Sequence, residues 1–195
     1  MKFKLLQIVM LGGVLTTACQ SQKDKADHDH VSTSSSQNEV AQDTVKKSIR
    51  KEEHAQVGSA HLMIKYQAPA VRGRTIWGGL VPYGEVWVTG AHSATSIEFD
   101  KTVAIGDREI APGKYAVFTI PGKDKWTIII NSNWDQHLAD KYDQKEDLVR
   151  VEVIPETLEK VQERLKYTVV SNNENNGAIE ISWEKIKVKL PLKII

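Results

Sequence analysis

The sequence predicts an all-β protein: a single β-sandwich of the jelly-roll type, preceded by a cleaved signal peptide and a disordered tether. Three observations lead to this prediction. Apolar and polar residues alternate with a period of two through much of the chain after residue 58, as in half-buried strands. Turn-forming pairs such as Gly106-Asp107 and Pro121-Gly122 separate these segments. The apolar N-terminus has the layout of a secretory signal.

Residues 1–18 are predicted to be the signal peptide. Lys2 and Lys4 precede an apolar stretch, residues 5–15, and small residues then lead to Cys19. The stretch is about half the ~20 residues that a membrane-spanning helix needs, so we expect the segment to be removed. Cys19 is the only cysteine, and its position resembles the lipid-attachment residue of a bacterial lipoprotein. Two or more acyl chains there would anchor the chain stably. The alternative is a secreted protein with a free thiol.

Residues 19–57 are predicted to be a lipid-anchored, disordered linker. They are rich in Ser, Gln, Asp and Lys and lack the apolar spacing that would form a buried face. A short helix over residues 45–54 is the alternative for the end of this segment. An Asp-His-Asp-His run at residues 27–30 is interpreted as a solvated polar tract rather than a metal site. The folded domain is therefore predicted to span residues 58–195.

Alternation predicts the individual strands of this domain. The apolar residues expected on inner faces are Leu62, Ile64, Tyr66, Ile97, Phe99, Val149, Val151, Val153, Ile179, Ile181, Trp183, Ile186, Val188 and Leu190. Residues 115–120 and 126–130 are apolar on both faces, which is typical of interior strands covered on both sides. Only residues 156–165 have helical spacing, with Pro155 placed to open a helix. Nine or ten short strands at this spacing predict a β-sandwich.

Charge and motif content argue against several classes of function. The chain has 26 basic and 25 acidic residues in an interspersed pattern, so no nucleic-acid surface is expected. It has no Gly-x-Ser-x-Gly elbow, no His-Glu-x-x-His motif, no phosphate-binding glycine loop and no Cys-x-x-Cys pair. Catalytic residues stay unassigned, and no cofactor is expected. A metal site shared by His61, His92 and His137 is an open alternative that spacing does not favour.

Three segments contain candidate ligand-binding residues. In the first, Arg72 and Arg74 flank a glycine close to Trp77. Two guanidinium groups beside an indole ring suit a carboxylate, a phosphate or a sugar. The alternative is that both arginines bind acidic neighbours and loop carbonyls.

The second segment, residues 81–95, combines aromatic residues with glycines. The favoured interpretation is a tight turn that packs under core aromatic residues. The alternative is a stacking platform formed by Tyr83 and Trp87, with His92 as a candidate base or ligand.

The third segment, residues 131–143, follows a strongly apolar strand. It contains Trp134, His137 and Tyr142 among amides and acids. Loops of this composition on a rigid sheet commonly carry recognition. The alternative is a lid that covers one end of the sandwich.

Two long blocks of the sequence resemble domain-of-unknown-function family 2911. Residues 71–95 read VRGRTIWGGLVPYGEVWVTGAHSAT, and residues 111–153 begin APGKYAVFTIPGKDKWTIIINSNWDQ. A closing Ile-Ser-Trp-Glu at residues 181–184 also fits the family. The resemblance covers nearly the whole folded domain and implies its fold. It also implies a setting, because the family is common among secreted and lipid-anchored proteins of Bacteroidota, but it implies no activity.

The chain departs from the family pattern at three positions. The family often reads Trp-Arg-x-Gly-Ala-Asn-Glu-Ala-Thr, whereas here Val88, His92 and Ser93 replace the Arg, the Asn and the Glu. If those family residues serve a site, we expect the site to be altered in this protein.

Together these features predict an outer-membrane lipoprotein of the cell envelope, on the periplasmic face or the cell surface, held by Cys19. The leading hypothesis is a non-catalytic binding module for a glycan or an envelope protein, with carbohydrate as the first ligand class to test. The candidate ligand-binding residues are Arg72, Arg74, Trp77, Tyr83, Trp87, His92, Trp134, His137 and Tyr142. One alternative is an envelope hydrolase with His92 or His137 as its base. Its acid would be Asp135 or Asp140. Another alternative is a purely structural component.

Overall fold

The described part of the chain contains ten β-strands and no α-helix, which confirms the predicted all-β class. The structure is a computed structural model that describes residues 47–195. The strands are β1 (Ile49–Val57), β2 (Ala60–Ala68), β3 (Thr95–Phe99), β4 (Val103–Ile105), β5 (Arg108–Ile110), β6 (Gly113–Ile120), β7 (Trp126–Asn131), β8 (Asp147–Val153), β9 (Glu156–Ser171) and β10 (Asn176–Ile194). One 3₁₀ turn, Gln144–Glu146, precedes β8.

The strands form two antiparallel sheets, as a β-sandwich requires. The larger sheet has six strands in the order β1-β2-β3-β6-β7-β8, and the smaller has four in the order β5-β4-β10-β9. Consecutive strands therefore pair through most of the larger sheet. The chain leaves that sheet twice: between β3 and β6, when it forms β4 and β5 of the smaller sheet, and after β8, when it forms β9 and β10.

A single main core fills the space between the sheets. Leu62 and Ile64 of β2 are fully buried, as alternation predicts, and so is Tyr167 of β9, while Ile181 of β10 is almost completely buried. The Tyr66 and Tyr167 rings meet across the core with centroids 4.7 Å apart. Burial of each large apolar side chain contributes about 1.5–3 kcal/mol to folding.

A second, smaller core covers the outer face of β6 and β7. It contains Phe118 and Ile129 from the sheet, and Val88 and Ala94 from the segment that precedes β3. Both faces of β6 and β7 are therefore buried, which confirms the prediction made from their unbroken apolar runs. The second core does not cover the outer face of the neighbouring strands β1, β2 and β3.

The folded domain begins before residue 58, so the predicted linker boundary is wrong. Residues 49–57 form neither a disordered segment nor a helix, but the edge strand β1, which pairs with β2 along its whole length. Lys51 and Glu53 occupy half-buried inner positions of β1. An edge strand can place such side chains next to solvent, and the apolar alternation is therefore weak.

Several predictions fall on residues that the structure does not describe. They are the signal peptide, the lipid-attachment role of Cys19, the polar run at residues 27–30 and the linker before residue 47. Among residues 47–195, no helix is long and apolar enough to cross a membrane.

Residues 156–165, predicted as a helix, belong to strand β9. The register explains the error. Ser182 of β10 pairs with Lys166, and Glu184 pairs with Gln162, so β9 advances by four residues where β10 advances by two. Bulges of this kind interrupt the period of two. Apolar residues of β9 are then spaced by three and four positions, which imitates a helix.

Candidate functional site

A long segment without regular strands, residues 69–94, connects β2 to β3, and its first part is fastened to β9. The Arg72 backbone N–H donates to Glu163 Oε1 at 2.9 Å. The Arg74 guanidinium donates two hydrogen bonds to loop carbonyls, one of them from Nε to Val71 O at 3.1 Å. Arg74 therefore holds the loop in shape, which is the structural alternative considered for this segment.

Trp77 and Trp87 are half-buried and pack against the main core rather than forming a surface platform. The Trp77 ring lies edge-on to Trp126, with centroids 4.7 Å apart, and edge-on to Trp87 and Trp183 at 5.8 Å. Trp87 stacks on Trp183 at 5.6 Å. We call these four side chains the tryptophan cluster. The buried Nε1 atoms of Trp77 and Trp183 have no hydrogen-bond partner among residues 47–195. The faces of neighbouring rings are the weak acceptors that remain for these N–H groups.

Tyr83 lies on the surface above a glycine. Its side chain is 39 % exposed, and its ring covers Gly78, whose backbone has a φ of +75°. A Cβ atom at Gly78 would lie 2.8 Å from the Tyr83 ring, so only glycine fits under this ring in its present position. Tyr83 is thus a packed surface aromatic, separate from the groove described next.

A groove of about 530 Å³ lies on the outer face of the larger sheet, beside the second core. Its floor comes from β1, β2, β3 and β6, and its wall comes from the segment after β7. The residues that line it are Arg50, Lys65, Tyr66, Gln67, Ser93, Ala94, Ser96, Lys114, Trp134, Asp135, Gln136, His137, Asp140 and Lys141. Two of the predicted site residues, Trp134 and His137, are therefore brought together with both predicted acids.

Backbone hydrogen bonds fix the wall of the groove to the segment before β3. Ala94 N donates to Gln136 O at 3.0 Å, and Leu138 N donates to His92 O at 2.6 Å. The Gln136 side chain is buried and donates to Asn133 O at 2.7 Å. His92 and Leu138 both have a positive φ, of 62° and 50°. Such strain costs about 1–3 kcal/mol and persists only where the surroundings impose it.

The edge of the groove carries two of the three departures from the family pattern. His92 is exposed beside the wall, and Ser93 lines the groove itself. The third departure, Val88, is buried in the second core. Two of the replaced positions therefore lie at the edge of the groove, and the third lies in the core beside it.

Two side-chain pairs dominate the chemistry of the groove. His137 Nδ1 lies 2.9 Å from Asp140 Oδ2, and both side chains are largely exposed. The Lys114 ammonium lies 3.5 Å from the centroid of the Trp134 ring, which is 39 % exposed. Trp134 is the only tryptophan outside the tryptophan cluster. It is thus the aromatic surface that a ligand in this groove would meet.

Tyr142 lies under the wall and supports it. Its ring packs edge-on against Phe118 at 5.3 Å, within the second core. Its hydroxyl donates to Asp147 Oδ2 at 2.7 Å and accepts from Arg150 Nη1 at 2.9 Å. Burial, together with the hydrogen bond to Asp147, raises the pKa of Tyr142 to about 12. The structure thus places Tyr142 in a packing position outside the groove lining.

We expect this raised pKa to make the protein less stable at high pH. The unfolded chain releases the Tyr142 proton near pH 10.0, whereas the folded chain holds it to about 12. The folded state therefore binds more protons between these values, and the free energy of unfolding falls as pH rises through them. In urea denaturation, Tyr142→Phe should show a shallower fall from pH 10 to 12 than the parent protein. Equal slopes would contradict the raised pKa.

The structure gives His137 a partner but no complete catalytic arrangement among the described residues. No group of three or more His, Cys, Asp or Glu side chains within residues 47–195 is placed to hold a metal ion. His61 pairs with the His54 ring at 5.5 Å and does not line the groove. The described contacts of the His137 side chain lead to Asp140 and not to a hydroxyl or thiol.

Sequence reasoning missed the floor of the groove. The basic floor residues are Arg50, Lys65 and Lys114, from strands β1, β2 and β6. Alternation does place Lys65 on an outer face. It does not show which strands are neighbours in the sheet. Arg50 was assigned to the linker. One sequence signal for the floor was available: these basic residues lie on the strand faces opposite to the apolar ones.

Comparison with known proteins gives one finding. No curated protein and no solved structure matches the chain. A family model matches residues 48–192, which include the groove, the tryptophan cluster and nearly all of the ten strands. The chain therefore belongs to the family described as protein of unknown function (DUF2911).

Proposed function

We propose that this protein is a lipid-anchored, non-catalytic binding module of the cell envelope, and that its groove takes a carbohydrate. The observation that carries the proposal is Trp134, a large aromatic side chain that stays 39 % exposed within a polar groove. Aromatic faces pack against the C–H faces of sugars, and flanking amides, hydroxyls and cations bind sugar hydroxyls.

The rigid wall of the groove supports this proposal. Binding is weakened when a site must be ordered by its ligand, and a fixed site avoids that cost. Here the wall is already held by Gln136, whose side chain donates to Asn133 O and accepts from Lys141 N at 3.2 Å. The wall therefore offers a ligand a surface in place before binding.

A glycan panel tests the binding function. The full chain is screened by thermal shift against oligomers of glucose, N-acetylglucosamine and galacturonate. A ligand at about 100 times its Kd should raise the free energy of unfolding by about 2.7 kcal/mol. We expect Trp134→Ala to abolish the shift. Tyr83→Ala is the matched control, because Tyr83 is equally exposed but lies outside the groove. A shift that survives Trp134→Ala would contradict binding in the groove.

Cys19 is proposed to carry the lipid anchor. Its place after a signal-like segment supports this role, and the polar linker that follows would separate the folded domain from the membrane. We expect the native chain in the membrane fraction and Cys19→Ser in the soluble fraction. Recovery of both chains in the same fraction would contradict lipid attachment at Cys19.

A hydrolase is the second candidate function, and the His137–Asp140 contact of 2.9 Å favours it. A carboxylate that accepts from Nδ1 would orient the imidazole with Nε2 toward a reacting group. Release of reducing ends from a bound glycan, lost in His137→Ala, would move this candidate ahead of the binding module.

A further inference from the structure

The groove keeps an excess of positive charge after its internal ion pairs are formed. Lys65 pairs with Glu52 at 3.4 Å, and Asp140 pairs with His137. The remaining charged side chains that line it are Arg50, Lys114, Lys141 and Asp135, none of which has an ion-pair partner within 4.0 Å among residues 47–195. Three cations therefore stand against Asp135, and against Asp140 as well when His137 is neutral, so the excess charge is positive in either case.

The carboxylate paired with Lys114 across the neighbouring strand does not cancel its charge. Glu98 is the cross-strand partner of Lys114 in the β3–β6 pair, but the two side chains form no ion pair, and Glu98 does not line the groove. The Lys114 ammonium is instead turned to the Trp134 ring. Its remaining N–H groups are therefore available to an anion.

The position of Lys114 distinguishes charged sugars from neutral ones. Both Lys114 and Trp134 line the groove, so a sugar that stacks on this face of the ring meets the ammonium first. A neutral sugar must displace the cation and lose the cation–π contact without replacing it. A sugar that carries an anionic group can pair with the ammonium while its ring packs on the indole.

From this geometry we propose that the groove is selective for acidic saccharides, with Lys114 on the Trp134 ring as the selecting group and Arg50 and Lys141 as supporting cations. The inference rests on the proposed binding function and adds the ligand class. The recognised chemistry is an anionic group on a sugar, and a carboxylate is distinguished from a sulfate by direct comparison.

Calorimetric titration of the full chain with matched oligogalacturonates tests the proposal. The free acid and its fully methyl-esterified form share the same sugar backbone, and the ester replaces each carboxylate charge with a neutral methyl ester. We expect the acid to bind about tenfold more tightly at low salt, since each exposed ion pair contributes up to about fivefold. This preference should decrease as salt is added. A sulfated oligosaccharide of equal length distinguishes the two anions, and either preference supports selection by charge.

Lys114→Gln gives the decisive comparison. We expect it to weaken binding of the acid by about fivefold and to strengthen binding of the ester by about threefold, because the ring face is freed. Lys123→Gln is the matched control, an exposed lysine in the β6–β7 turn that does not line the groove. Equal wild-type affinity for acid and ester, or an equal loss of both in Lys114→Gln, would overturn the proposal. Absence of Trp134-dependent binding by any glycan would overturn the binding function itself.

Discussion

Trp183→Ala is expected to lower the free energy of unfolding by about 3–5 kcal/mol. The Trp183 side chain is only 2 % exposed and contacts both Trp77 and Trp87 within the tryptophan cluster. Alanine would leave a cavity that these flat, rigid rings cannot close by a small shift. Urea denaturation of the full chain measures the change, which should appear as a lower midpoint with an unchanged slope.

Trp134→Ala serves as the control for this large effect. The chemical change is the same, but Trp134 is 39 % exposed, and its described ring contact is with Lys114. Loss of one exposed cation–π contact costs about 0.5–1 kcal/mol. If both variants lost stability equally, the tryptophan cluster would not be the main aromatic support of the core.

Gly58→Ala is expected to destabilise the protein by about 2–5 kcal/mol, the second largest effect. Gly58 forms the two-residue turn between β1 and β2 and has a φ of +56°. A side chain in this left-handed conformation costs about 1–2 kcal/mol. An added Cβ atom would also lie 1.7 Å from Glu174 O in the β9–β10 connection, which adds an overpacking cost of about 1–3 kcal/mol. Urea denaturation measures the sum.

Gly73→Ala separates the two parts of this cost. Gly73 has a similar φ of +66°, but no heavy atom lies within 4 Å of an added Cβ. We therefore expect only the conformational cost of about 1–2 kcal/mol. If Gly58→Ala cost no more stability than Gly73→Ala, the β1–β2 turn would not be closely packed against the β9–β10 connection.

The fold was predictable where strands are regular and half-buried. Strand β2 alternates cleanly because its inner residues face the main core, so the spacing of Leu62 and Ile64 was sufficient. Strand β10 shows how a local irregularity limits the prediction of strands from apolar alternation. Its inner face changes from odd to even positions between Trp183 and Val188, where Glu184 has a φ of 54° and the register shifts. The sequence therefore reads as two strands where the chain has one.

The candidate site was predictable only in its local parts. The wall lies in one continuous segment, so Trp134 and His137 were found by composition. Trp77 and Trp87 were named as ligand-binding candidates, because spacing alone does not show whether a loop aromatic turns inward. The floor joins residues from β1 to β6, as far apart in sequence as Arg50 and Lys114. Such a surface can be predicted only when the order of the strands in the sheet is known.

The separation of the tryptophans gives the protein two independent optical probes. Four indole rings, in or against the main core, lie within 5.8 Å of a neighbouring indole, where asymmetric packing produces near-ultraviolet circular dichroism that is lost when packing loosens. The fifth, Trp134, is half-exposed beside a charged amine, so its fluorescence emission responds to what enters the groove. Occupancy and folding can therefore be followed in one cuvette without any attached label.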